Sequence, residues 1–154
     1  VFRRFLVSAA LLGCALIAPA AVALPASAAT GSWTVSKTHY TIYFDGGYAT
    51  MLFNKPVTSL PNNGQITSTT VQVAPYTNGR TTETITICYQ KLYTATDYLC
   101  TTPVSITGNT TFSVSAFNGL DPKGTVTVRH TLSGGTYPAT GVGVQDTVTV
   151  NYQY

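Results

Sequence analysis

From Ala29 onward apolar and polar side chains alternate along most of the chain. No stretch carries the apolar spacing of an amphipathic helix. The alternating positions are rich in Thr, Val, Ile and Tyr, the residues that suit a pleated, half-buried surface. Turn residues divide them into short runs, which predicts an all-β domain. An antiparallel β-sandwich of about eight to ten short strands fits this spacing, with a closed barrel as the alternative.

Three segments predict hairpins. Around Gly46-Gly47, a two-residue turn would set Phe44 opposite Ala49, Ile42 opposite Met51 and Tyr40 opposite Phe53, all on one core face. Tyr43 would then lie on the outer face with Thr41, Thr50 and Leu52. In the second, Cys88 opposite Cys100 places Tyr89 against Leu99 and Ile87 against Thr101, with Ile85, Ile87, Tyr89 and Leu99 inward. The third runs from Thr110 to Leu132 through Asn118-Gly119 and Asp121-Pro122-Lys123-Gly124, with Val126, Val128, His130 and Leu132 on one face. A last strand alternates Val148, Val150, Tyr152 and Tyr154 against Thr147, Thr149, Asn151 and Gln153. Asp146 falls on its apolar side, which predicts that the strand starts there or carries a bulge.

Residues 1–28 break this pattern. Arg3 and Arg4 precede an apolar run, and Ala26-Ser27-Ala28 offers small residues for cleavage, the layout of a secretory signal peptide. The expected organisation is therefore a leader over 1–28 and one β-sandwich domain over 29–154, exported to the periplasm or the exterior, with no membrane span after cleavage. Leu11-Leu12-Gly13-Cys14 is a weaker alternative, a lipoprotein-like box that would acylate Cys14. Outside the leader two cysteines remain, and an even pair in an oxidising compartment implies a Cys88–Cys100 disulfide. Closing so short a loop stabilises by roughly 3 kcal/mol in the chain-entropy account.

Charge narrows the partners. Only 8% of residues are charged. Beyond the leader Lys37, Lys55, Arg80, Lys91, Lys123 and Arg129 are scattered, with no stripe to track phosphates, so nucleic acid is not expected. The two histidines, His39 and His130, stand in no metal-ligand spacing, and no metal or cofactor is expected. His130 sits on an apolar alternation, as a core or sheet-edge histidine would. His39, near a strand start, is expected to be solvated. Asp45, Glu83, Asp97, Asp121 and Asp146 lie mainly at expected turns or strand ends, where aspartates serve turn formation rather than paired acid–base chemistry. No catalytic residues emerge, and the chain reads as a non-enzyme. Its ten tyrosines are the richer resource. Tyr43, Tyr48, Tyr93 and Tyr98 form the candidate binding surface, able to stack on sugar rings or anchor a protein, against the plainer role of cross-strand packing. Asn109-Thr110-Thr111 is formally a glycosylation sequon.

Gly31-Ser32-Trp33 after the leader, the Cys88/Cys100 pair, Ala116-Phe117-Asn118-Gly119, Gly134-Gly135 and the closing Val148-Thr149-Val150-Asn151-Tyr152 follow one another in an order that resembles the flagellar protein FlhE family. The likeness covers the start of the domain and roughly its last 70 residues. Arg129-His130-Thr131 stands where that family has Trp-Glu, and the segment between the cysteines is longer. The resemblance implies a β-sandwich and a chaperone-like, non-catalytic accessory role at the periplasmic side of the flagellum or its export apparatus, through a protein partner in the cell envelope. The alternatives are a carbohydrate- or cell-wall-binding module using outward tyrosines, and a secreted enzyme inhibitor presenting the loop from Lys91 to Thr96.

Overall fold

The computed structural model describes residues 28–55, 60, 62–78 and 80–154. The expected leader, with Cys14, lies almost wholly outside them. The described chain forms nine strands: β1 (Thr30–Thr38), β2 (Tyr48–Phe53), β3 (Gln65–Val73), β4 (Thr82–Gln90), β5 (Asp97–Cys100), β6 (Val104–Ser105), β7 (Thr110–Ser113), β8 (Thr125–Ser133) and β9 (Gln145–Gln153). They build two antiparallel sheets, one ordered β1-β9-β3-β7 and the other β2-β8-β4-β5, with β6 also on β4. Among the described residues no helix is long and apolar enough to cross a membrane.

Strand alternation sorts each side chain inward or outward, and the inward set makes the core. Trp33, Val71, Val73, Val148 and Val150 come from one sheet, and Met51, Phe53, Ile85, Ile87, Val126, Val128 and Leu132 from the other. Each such side chain, fully buried, contributes about 1.5–3 kcal/mol before the opposing chain entropy is counted. Polar tips at the core margin find backbone acceptors, Trp33 Nε1–H on the Pro122 carbonyl at 3.1 Å and the Tyr89 hydroxyl on that of Asp121 at 2.8 Å.

The disulfide hairpin has the expected register, with Cys88 opposite Cys100, Tyr89 opposite Leu99 and a bulge before Gln90–Asp97. The sulfurs are bonded at 2.08 Å. Leu99 itself, expected inward, is partly exposed on this short edge strand.

The other two expected hairpins do not form. β2 pairs with β8 over Tyr48–Phe53, and the segment before it, instead of pairing with β2, forms an isolated Ile42–Ala139 bridge. Ile42, Ala49, Met51 and Phe53 are buried as expected, but Tyr40 and Phe44 point into solvent. β7 pairs with β3 in one sheet while β8 belongs to the other, a short 3₁₀ turn at Ser115–Phe117 lying between them. The chain crosses repeatedly between sheets, and alternation fixes which face is inward without naming the partner strand. β9 does start at this point, at Gln145, and without a bulge in its β1 pairing; Asp146, its second residue, pairs with Lys37 of β1 and is buried.

Candidate functional site

Four titratable residues occupy inward-facing positions in or beside four strands. Glu83 is in phase with Ile85, Ile87 and Tyr89 on β4, and His130 with Val126, Val128 and Leu132 on β8. Asp146 is in phase with Val148 and Val150 on β9, and His39 follows β1 in phase with Trp33. The expectation that His39 is solvated is therefore wrong; it is buried, as are Glu83 and Asp146, which the sequence placed among turn and strand-end carboxylates. Strand phase was the signal that could have found the set: each residue shares its parity with a row of core residues.

The four side chains form one hydrogen-bonded chain across the sandwich. His39 Nε2 lies 2.9 Å from Asp146 Oδ1, and His130 Nε2 lies 2.7 Å from Asp146 Oδ2. On its other side His130 Nδ1 lies 2.6 Å from Glu83 Oε1. Glu83 Oε2 accepts from the Tyr76 backbone N–H at 3.0 Å and from Arg80 Nε, and Asp146 Oδ1 also accepts from the Ala74 N–H at 3.1 Å. The His130–Asp146 bond joins the two sheets. Tyr76 closes the site, its ring 4.8 Å from that of His39 and its hydroxyl donating to the Tyr40 carbonyl.

His130 lies between the two carboxylates, with one ring nitrogen within hydrogen-bond distance of each. Burial pulls its pKa down, but the hydrogen bonds to Asp146 and then Glu83 outweigh it and leave the pKa raised. Burial pushes Asp146 up, yet the bonds from His130 and His39 win and hold it below the usual carboxylate range. His39 meets Asp146 through Nε2, while its Nδ1 is buried without a partner. Arg80 and His130 thus face Glu83 and Asp146 within one buried cluster. Burial against the two carboxylates also raises the Tyr76 hydroxyl.

His39, His130 and Asp146 each present a donor atom within 4.8 Å of the others, a set that could hold a metal ion. Those atoms already satisfy one another, and the three side chains have no solvent exposure. A second set, Cys88, Cys100 and Asp97, has its sulfurs committed to the disulfide. Two adjoining clefts of about 220 and 480 Å³ at one end of the β3–β9 sheet are lined by Gln72, Asn109, Gln145 and neighbouring threonines, with no titratable side chain.

The sequence-predicted surface lies elsewhere. Tyr43 is 72% exposed, Tyr48 66%, Tyr93 96% and Tyr98 54%. Tyr43 and Tyr48 flank the turn before β2, whereas Tyr93 and Tyr98 belong to the disulfide hairpin. The Arg129 guanidinium lies 5.3 Å over the Tyr48 ring and bonds Asp97 at 3.4 Å, and Lys91 Nζ sits 3.7 Å over Tyr98.

The arrangement defines a class: an antiparallel β-sandwich whose acid–base groups are sealed inside and whose outer face offers aromatic rings. Within it the chain has an FlhE-like fold. The crystal structure of FlhE superposes with a TM-score of 0.59 at 19% sequence identity, covering 81% of this chain and 98% of that one. No protein-family model matches the chain, and no curated protein does. The likeness read from the sequence motifs is borne out as one of fold.

Proposed function

We propose that this protein is an exported, non-catalytic accessory protein that works by binding a protein partner in the cell envelope, in a chaperone-like manner at the periplasmic side of the flagellum or its export apparatus. The observation that carries the non-catalytic part is the sealed cluster. Both histidines and two of the five carboxylates are committed to a buried core network, so no imidazole is left to meet a substrate. The FlhE-like fold supports the flagellar part as an analogy, since a fold can outlive a role. Export is supported by the leader-like start and by the Cys88–Cys100 bridge, a bond that persists in oxidising compartments.

The test is capture. The oxidised protein is immobilised and exposed to an envelope extract of its own host, and retained proteins are identified by mass spectrometry. Recovery of rod or export-apparatus components upholds the proposal, and recovery of wall fragments alone refutes it. The second reading, a glycan-binding module, is favoured by the outward rings of Tyr48 and Tyr98. It requires that Tyr48→Ala or Tyr98→Ala abolish retention of wall polysaccharide.

A further inference from the structure

The segment from Tyr40 to Tyr48 carries four aromatic residues that all project into solvent. Tyr40 is 60% exposed and Phe44 66%, beside the exposed Tyr43 and Tyr48. Rings left in water lose the burial that aromatic side chains normally supply. The backbone under them is nevertheless tied down at almost every second residue. His39 N–H donates to the Val144 carbonyl at 3.1 Å, and the His39 side chain is locked to Asp146. The Tyr76 hydroxyl holds the Tyr40 carbonyl. Ile42 exchanges two hydrogen bonds with Ala139, at 2.9 and 2.8 Å. Gly46 N–H donates to the Leu132 carbonyl and Leu132 N–H to that of Gly47, both at 3.0 Å. Asp45 Oδ1 accepts the Gly134 N–H at 2.7 Å. Exposed aromatics on a fixed backbone are what a protein-binding anchor needs, because little ordering entropy is left to lose on association.

We infer that Tyr40–Tyr48 is the docking surface of this protein and that it receives a polypeptide segment carrying a Lys or Arg among apolar side chains. This rests on the protein-binding reading above. Charge complementarity selects the occupant. Asp45 is the one charged side chain in the segment, exposed and accepting a single backbone bond, so the rim of the patch holds an anion that no cation pairs with among the described residues. The guanidinium of Arg129, over Tyr48, is committed to Asp97. A cation beside apolar groups can pair with Asp45 and lie against a tyrosine face while its neighbours cover Phe44. In an isologous contact between two copies the cation that this patch itself carries, Arg129, is already bonded to Asp97. The buried network thereby acquires a role: it is the foundation that keeps His39, and hence the start of the segment, in place.

The probe is a phage-displayed library of random dodecapeptides selected on the oxidised full chain, with affinities of the recovered peptides measured by fluorescence anisotropy. The expected result is enrichment of peptides with Lys or Arg flanked by apolar residues. Their binding should fall at least tenfold in Tyr43→Ser/Phe44→Ser, whose changes lie on exposed side chains and should leave the melting temperature in place. Asp45→Asn keeps the oxygen that accepts from Gly134. It should weaken the cationic peptides about three- to tenfold and flatten their salt dependence. The inference is overturned if no peptides are enriched, if those recovered lack cations, or if Tyr43→Ser/Phe44→Ser binds them undiminished. A wild-type dimer that this variant dissociates, or neutral oligosaccharide binding that it abolishes, also overturns it. Should the variant still capture envelope proteins, the surface is misassigned while the protein-binding reading stands. Peptide binding that the variant loses, without any envelope protein captured, upholds the surface and refutes the envelope-partner reading.

Discussion

Replacing Asp146 with asparagine changes no shape and one charge, which makes it the sharpest probe of the buried network. The native carboxylate is sealed and accepts from His39, His130 and the Ala74 N–H at 2.9, 2.7 and 3.1 Å. Asparagine retains one oxygen. Its amide nitrogen takes the place of an acceptor, so one of the two imidazoles must give up its proton at Nε2 to meet it. A proton kept on His130 is also left with one of its two counter-anions removed. Removing one partner of a buried ion pair costs about 3–5 kcal/mol. For a domain of this size that lowers the melting temperature by roughly 10–25 °C. Thermal and urea unfolding at pH 6 followed by far-UV circular dichroism, with the disulfide intact, reads the difference. A companion, Asp146→Asn/His130→Gln, removes the excess charge and should recover at least about 1 kcal/mol relative to additivity. A loss below about 1 kcal/mol for the single change would refute the ionised network.

Stability should depend on pH with a definite sign. His130 has a raised folded pKa, so its contribution is complete below its unfolded value and is lost as pH rises through the folded one; Asp146, lowered, contributes above its unfolded value and loses this as pH falls through the folded one. The urea midpoint should therefore be highest between roughly pH 4 and 6.5 and decline toward alkaline pH. A midpoint that climbs steadily from pH 6 to 9 is the contrary result. Gly141→Ala would place a Cβ 2.6 Å from the His39 carbonyl oxygen, which must move. It should cost about 1–3 kcal/mol in urea titration, more than Gly108→Ala, since Gly108 faces open space. Opening the disulfide by Cys88→Ser/Cys100→Ser should cost about 3 kcal/mol by the same measurement. An unchanged midpoint would mean that cross-strand pairing alone holds β5.

Much of the fold was legible because strand phase is a local property. The inward rows of β4, β8 and β9 and the Cys88–Cys100 register follow from alternation and one covalent bond. Pairing partners were less legible. The tight turn does form, but one residue earlier than expected, over Asp45-Gly46, with Gly47 N–H bonded to the Phe44 carbonyl at 3.0 Å. The turn delivers β2 to β8 rather than back onto its own first arm, which left Tyr40 and Phe44 outside. Tyr43 and Tyr48 were placed outward correctly, since they needed only their own parity. The network was visible in pieces, His130 and Asp146 both falling on apolar faces, but a charge at an inward position reads locally as a strand end. Its partners lie 16, 47 and 107 residues apart in the chain, so only the crossing between sheets brings them together.

The protonation of His130 is the decisive observable. In a long-range ¹H–¹⁵N spectrum of the oxidised protein at pH 6, below the ordinary imidazole value that His130 exceeds, its ring should carry protons on both nitrogens and exchange them slowly. A His130 ring with one bare nitrogen at that pH would contradict the protonated link between Asp146 and Glu83, and with it the claim that these buried groups hold the sandwich and its aromatic loop together.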